Sequence, residues 1–357
     1  MTSNPLPSGE FPAVGVVAGH AVTLHYGNIV GEYAALESGA MLTDRSVRGR
    51  MRLDGPRAAE TLTGLVTNDV LALAPGHGLY ADALSPKGRI IADIRVFARA
   101  DHVLVDVPPR ARAGWDALVR KYINPRTVAY SDVSAGQRQI AIAGTNARAI
   151  LATSAGVARE TLAALVMYSH LDAEIGGREV MIARVPELEA ECYEIFFTAD
   201  AFGSIWQRLV SAGATPAGLL AWEIARIENG RPEWGLDIDE STIPQEANHD
   251  DLHAISYTKG CYTGQEVVAR IHFRGHVNRH LRGLRLDDAE VPREHAPLLT
   301  LEGKQVGDVR SSALSPRFGT IALVMVRREI EMGSALAVEG DGRATPGRLV
   351  PLPFAEE

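Results

Sequence analysis

A change of pattern near residue 280 constrains this chain most. Before it, strand-like and helix-like segments alternate. After it come short strands, "HLRGLRL", "QVGDVRSSAL", "TIALVMV", "SALAV" and "RLVPLPF", punctuated by Gly and Pro. Such strands are best closed into a small barrel, because closure leaves no unpaired edge. At 357 residues the chain exceeds what one core usually organises, so two or three domains are expected, mixed α and β first and a terminal β-barrel last.

In "GRIIADIRVFARADHVLVDV", Ile90, Ala92, Ile94, Val96 and Ala98 share one face, and a polar turn leads to Val103, Val105 and Val107. The spacing predicts a hairpin. On the opposite face Ile91, Asp93, Arg95, Phe97 and Arg99 are too mixed for a plain solvent surface, so a cover is expected there. Upstream, "GEYAALESGAML" reads as a helix, and "VRGRMRLDGPRAAETLTGLVTNDV" as strand, Gly-Pro turn and helix. Downstream, residues 145–166 are helical, "EVMIARV" and "CYEIFFT" are strands, and "AFGSIWQRLVSAG" is a helix. A further helix runs through "TPAGLLAWEIARIENG", with Pro216 near its start and Asn229-Gly230 as its stop.

Several functions are excluded. No GxxxxGK[ST] or GxSxG motif occurs, and "GHGLYA" at 76–81 is followed by strand and turn, not by the helix a dinucleotide fold needs. Two cysteines, Cys192 and Cys261, are too few for a disulfide scaffold or a self-contained metal centre. "HDDLH" at 249–253 lacks a third metal ligand, so no stably bound metal is expected. The apolar runs are too short to span a membrane, and "MTSNPLPSGEFPAVG" has no secretory pattern. A loose leader over 1–18 and a cytoplasmic location are the expectations.

Net charge is -8, yet residues 270–285 carry five arginines and three histidines without an acid. This local basic charge suits an anion, either an acidic ligand tail or RNA phosphate, or is simply a solvated face. Residues 269–274 alternate apolar and basic, which predicts a two-faced strand. Glu228, in the last turn of its helix, opposes the helix dipole and calls for solvent, a cation such as Arg231, or a ligand. Asp93 is either an exposed i, i+2 partner of Arg95 or a buried acceptor and proton carrier beside a planar ligand. Cys261 lies on a Gly-rich connector beside Lys259, which favours the thiolate, although a lone cysteine is often a filler. Cys192 reads as core.

Together "TND" at 67–69, "GRIIADIRVF", "RIENG", "IPQEAN", "KGCYTGQEVVAR" and "VGDVRSSALSPRFGTIALVMV" resemble the YgfZ-type folate-binding proteins, relatives of the glycine-cleavage T-protein. The resemblance is collinear over nearly the whole chain. It implies an α+β fold of three lobes in a cloverleaf, with two ferredoxin-like folate-binding lobes (approximately 19–145 and 146–278, with interleaving allowed) and a C-terminal β-barrel over 279–357. It further implies a tetrahydrofolate ligand, with Glu228 on the pterin, Asp93 near the reacting nitrogens and Lys259 near the glutamate tail. Where the T-protein has paired aspartates, Ala92 precedes Asp93, which weakens the case for aminomethyl transfer. The cysteine motif instead implies assembly or repair of iron–sulfur clusters in client enzymes, including radical tRNA-modifying ones, with Cys261 as a redox or transfer thiol and Gln265 and Glu266 as local organisers. The alternatives are a tetrahydrofolate-dependent aminomethyltransferase or demethylase and a folate-dependent RNA-modification accessory protein.

Overall fold

The computed structural model describes residues 12–340 and 344–356. Strand Ile90–Ala98 buries Ala92, Ile94 and Val96 beneath helices Ala58–Leu65 and Arg112–Tyr122, which contribute Leu62, Leu65, Trp115 and Val119, while Ile90 packs in a separate cluster with Leu84, Tyr262 and Val268. It is the second strand of an antiparallel sheet ordered Gly78–Leu84, Ile90–Ala98, His102–Val107, Gly49–Asp54, Ala129–Asp132. The hairpin expected from alternation is present.

The mixed face is covered, as its composition requires. Asp93, Arg95 and Phe97 are all buried, and Phe97 meets Phe196 of a second sheet at 5.5 Å between ring centroids. That sheet is ordered His170–Ile175, Arg178–Arg184, Cys192–Thr198, Gln137–Ala143, Met41–Asp44, Thr215–Pro216. Its other face packs on helices Ala147–Ala155 and Phe202–Ser211 through Leu151, Ile205 and Leu209. Met41–Asp44 belongs to this second sheet although it precedes the first in sequence, so the two sheets interleave along the chain. Pro216 pairs in parallel with Leu42, and the helix starts only at Leu219.

Charge fills the seam between the sheets. Arg95 does not pair with Asp93. It reaches Asp106, Glu194 at 2.7 Å and Glu187 at 3.3 Å, while Arg48 donates to Asp106 at 2.9 Å. A guanidinium this deep is tolerated only when paired.

The C-terminal strands close into a six-stranded barrel running Arg279–Leu286, Gly319–Arg327, Gln305–Ser315, Pro297–Thr300, Ala335–Glu339, Ala344–Val350 and back to the first. Helix Leu219–Glu228 ties the parts together. Its Trp222, Ile224 and Ile227 share one core with Tyr33 and Leu36 of helix Ile29–Ser38, Phe97 and Phe196 of the two sheets, and Leu281 and Leu323 of the barrel.

Two expectations need correcting. Ala13–Val17 is a strand paired with His20–His25, so the loose leader does not extend to residue 18; residues 1–11 of that leader lie outside the described residues. Residues 269–274 are the second half of helix Gln265–Arg274, not a strand. Six alternating residues are too few to separate the two periods, and Val268 with Ile271 fits helical spacing equally well. Gly264, at φ 83, turns the chain into this helix so close to Ser85 that a Cβ would stand 2.6 Å from its carbonyl oxygen. Among the described residues no helix is long and apolar enough to cross a membrane.

Candidate active site

A cavity of about 990 Å³ opens where the first sheet, the end of the central helix and the chain beyond the barrel meet. Two tyrosines define it. The rings of Tyr80 and Tyr168 lie 9° from parallel with centroids 6.3 Å apart. The Arg231 guanidinium sits 4.4 Å over the Tyr80 ring, donates to the Tyr168 hydroxyl at 2.7 Å and faces Glu187 at 3.6 Å. Leu79, Val166, Met167, Leu188 and Leu252 supply apolar lining. Aromatic and apolar walls with a few fixed polar groups suit a flat conjugated ligand.

The "NGR" after the helix builds this wall. Gly230, at φ 65, reverses the chain so that the Arg231 amide bonds back to the Arg226 carbonyl at 3.1 Å and its side chain enters the cavity. Leu352 packs where a Gly230 Cβ would stand, 2.7 Å away. "TND" fixes the opposite side: the Thr67 hydroxyl donates to the Ala254 carbonyl and accepts from the Asp82 amide, while Asn68 donates to the carbonyls of Tyr80 and His253.

Asp93 stands behind Tyr80 and does not itself line the cavity; it is joined to the wall by the Tyr80 hydroxyl, which donates to its Oδ2 at 2.8 Å. Oδ1 is buried with no hydrogen-bond partner among the described residues. Burial raises the carboxyl above the ordinary carboxylate range, and His249 and the Tyr80 hydroxyl pull it partly back. A buried oxygen with an unused lone pair and raised proton affinity is equipped to accept a proton.

The other sequence candidates do not join Asp93. Glu228 ends its helix as expected, but not against Arg231. Its carboxylate accepts from the Tyr33 hydroxyl at 2.7 and 2.9 Å and from the Ser315 hydroxyl, with Arg317 acting through space, and it is not among the cavity-lining residues. Burial raises its carboxyl, and these partners offset part of that rise. Lys259, expected near a ligand tail, instead gives its ammonium to the carbonyls of Thr63, Val66 at 2.6 Å and Asn68 at 3.1 Å. It clamps the "TND" turn to its own loop. Burial lowers it to about 8. Cys261 is exposed on a connector and does not line the cavity, and Cys192 is buried. Gln265 and Glu266 start the following helix, where an acidic first turn suits the dipole; neither side chain makes a hydrogen bond among the described residues. Sequence reasoning missed Tyr80, Tyr168 and Arg231 as cavity residues, and weighed His249 only as a metal ligand within "HDDLH". The turn after "RIEN" signalled Arg231, and no local signal marked the two tyrosines.

Comparison with known proteins agrees with this architecture. Residues 12–254 match the model of the GCVT N-terminal domain, and residues 279–356 match the glycine cleavage T-protein C-terminal barrel domain. An aminomethyltransferase of Nostoc sp. is 30% identical over 344 residues, covering 94% of this chain and 90% of that protein. One from Synechococcus sp. is 31% identical over 340 residues, covering 94% and 93%. The chain superposes on glycine cleavage system aminomethyltransferase T from Bartonella henselae with a TM-score of 0.84 at 22% identity, covering 96% and 94%, which shows a common fold. This chain belongs to the glycine cleavage T-protein family. The three-lobed α+β fold with its terminal barrel is thereby established.

These findings overturn the iron–sulfur reading. Relatives that align over nearly the full length are named aminomethyltransferases, and the YgfZ-type assignment, the cluster role of Cys261 and iron–sulfur clients find no support in them. The short "KGCYTGQE" motif suggested a specialised thiol, but in the structure the loop is a clamp with an exposed cysteine.

Proposed function

We propose that this chain is a tetrahydrofolate-dependent one-carbon transferase acting on an aminomethyl or N-methyl donor. The observation that carries this reading is Asp93: a buried carboxylate with one unused oxygen, held by a tyrosine that lines a ligand-sized cavity. Tetrahydrofolate fits the residues present. Tyr80, Tyr168 and the apolar lining would hold the ring system, and Arg231 would meet its polar edge. Arg282 would meet the carboxylate tail. It lines the cavity half-buried, gives Nη1 to Asn248 Oδ1 at 2.9 Å, and makes no ion pair among the described residues. When bound, folate supplies the nitrogens that accept the one-carbon unit.

Asp93 takes up or holds the proton that the donor amine or the folate nitrogens must exchange, with the cavity-lining Tyr80, whose hydroxyl bonds Oδ2, relaying it. Tyr80 fixes Oδ2, so the free oxygen keeps one orientation. General acid–base help of this kind is worth about 10²–10⁴-fold in rate. Ala92 leaves this carboxylate to work without an adjacent acid in the chain. The full-length aminomethyltransferase relatives support the reaction class. The test is incubation of purified protein with tetrahydrofolate and either donor class, following methylene-tetrahydrofolate from an aminomethyl donor, with ammonia released, and methyl-tetrahydrofolate from an N-methyl donor, with the demethylated amine released. Product above the protein-free rate is expected, and none with either donor class would reject the reading.

A further inference from the structure

Asp82 and Asp93 are direct partners across the first two strands of the first sheet and share a face. Both are buried, at 0% and 6% exposure. Like charges directly opposite in an antiparallel pair repel, and burial removes the water that would screen them. A fully buried histidine answers this conflict. His249 Nδ1 lies 2.8 and 2.9 Å from the two Asp82 oxygens, and its ring centroid is 5.5 Å from that of Tyr80, which holds Asp93. Asn248, at φ 60, sets the turn that carries His249, and the Ala254 amide bonds to the His249 carbonyl at 3.0 Å. His249 Nε2, like Asp93 Oδ1, is buried without a hydrogen-bond partner among the described residues.

We propose that His249 is a positioning residue for Asp93: bound to Asp82 as a cation, it offsets the charge of the carboxylate opposite Asp93 and thereby sets the pH range in which Asp93 can accept a proton. The other ionisable groups around them are Tyr80 on the same sheet, Arg48 in the turn before Gly49–Asp54, Arg95 next on the shared face, Arg231 over Tyr80, and Tyr262 near Asp82. Arg48 acts on Asp93 through space while committed to Asp106, and Arg231 is committed to Tyr168 and Glu187. Among these groups only the His249 side chain is bonded to the opposing carboxylate itself. This rests on the transferase reading only in calling Asp93 the acid–base group.

The test is a ¹³C NMR titration of side-chain carboxylates in the ligand-free full chain, with the Asp93 resonance assigned by its loss in D93N. H249N keeps a donor toward Asp82 but cannot carry charge. Its Asp93 midpoint should rise by about one pH unit or more, a tenfold change in proton affinity. In D82N/H249N both members of the pair are neutral, and the midpoint should return to about that of the wild type. An unmoved midpoint in H249N, or an undiminished rise in the double variant, overturns the proposal and leaves His249 a packing residue. Where H249N does not fold, the ¹⁵N imidazole shifts of wild-type His249 decide. A doubly protonated ring while Asp93 titrates supports the proposal, and a neutral ring overturns it. None of these readouts uses folate, so a failed transfer assay with intact shifts would reject the reaction and keep the coupling.

Discussion

At Tyr80 and Asp93 the protein buries a carboxylate, leaves one of its oxygens unused and opens a cavity of about 990 Å³ in front of the tyrosine. At Lys259 and Cys261 the arrangement is reversed. The ammonium is used up on three backbone carbonyls, and the thiol faces solvent outside the cavity. Both regions carry reactive residue types. Other buried polar atoms also lack a partner among the described residues, Trp115 Nε1 and Trp222 Nε1 among them; what sets Asp93 apart is that the unpaired atom belongs to a carboxylate bonded to a cavity-lining tyrosine. The loop spends its polar groups on the fold; the cavity wall keeps some in reserve.

This contrast can be broken at several points. The largest effect is expected beneath the wall, in the charged seam that holds the two sheets together. R95M would leave Glu194 without a cation and take one from Asp106 and Glu187, which keep Arg48 and Arg231, and should lower unfolding stability in urea by about 3–5 kcal/mol. A loss under 1 kcal/mol would show that the seam is not what supports the cavity. Next is the rim. R282M should weaken tetrahydrofolate binding by about tenfold or more while sparing tetrahydropteroate, which lacks the glutamate tail, since a charge-assisted hydrogen bond is worth about 1.5–3 kcal/mol. Equal losses for both ligands in fluorescence titration would remove the tail from Arg282.

For the clamp, K259M should cost about 1–3 kcal/mol of stability with folate affinity unchanged. It also carries a pH signature. Lys259 is lowered from 10.5 to about 8 in the folded protein, so between those values the unfolded chain binds its proton more tightly and stability from this group rises with pH. Thermal midpoints measured from pH 8 to 10 should show that slope in the wild type and lose it in K259M. The smallest effect belongs to Cys261, whose replacement by serine should change stability by less than about 0.5 kcal/mol, as for other exposed surface positions.

Much of the architecture was legible in the sequence because it rests on periodicity. The two faces of Ile90–Ala98, the stop at Asn229-Gly230 and the run of short strands after residue 280 all follow from local pattern. Asp93 could be singled out because its face was too mixed for solvent. What local pattern could not supply was pairing between distant segments. Arg95 finds its carboxylates 11, 92 and 99 residues away, Asp82 meets His249 across 167, and Glu228 meets Tyr33 across 195. The basic stretch misled for a related reason: six alternating residues fit a strand and a helix equally, and the turn at Gly264 chose the helix. Cys261 drew attention by its rarity in the sequence, and rarity carries no information about what a side chain touches.

The most direct test of the account compares D93N and C261S in the same one-carbon transfer assay, with tetrahydrofolate and an aminomethyl or N-methyl donor. D93N, still folded, is expected to lose about 10²–10⁴-fold in kcat/KM while C261S stays within about twofold of the wild type. Activity retained in D93N and abolished in C261S would contradict this expectation.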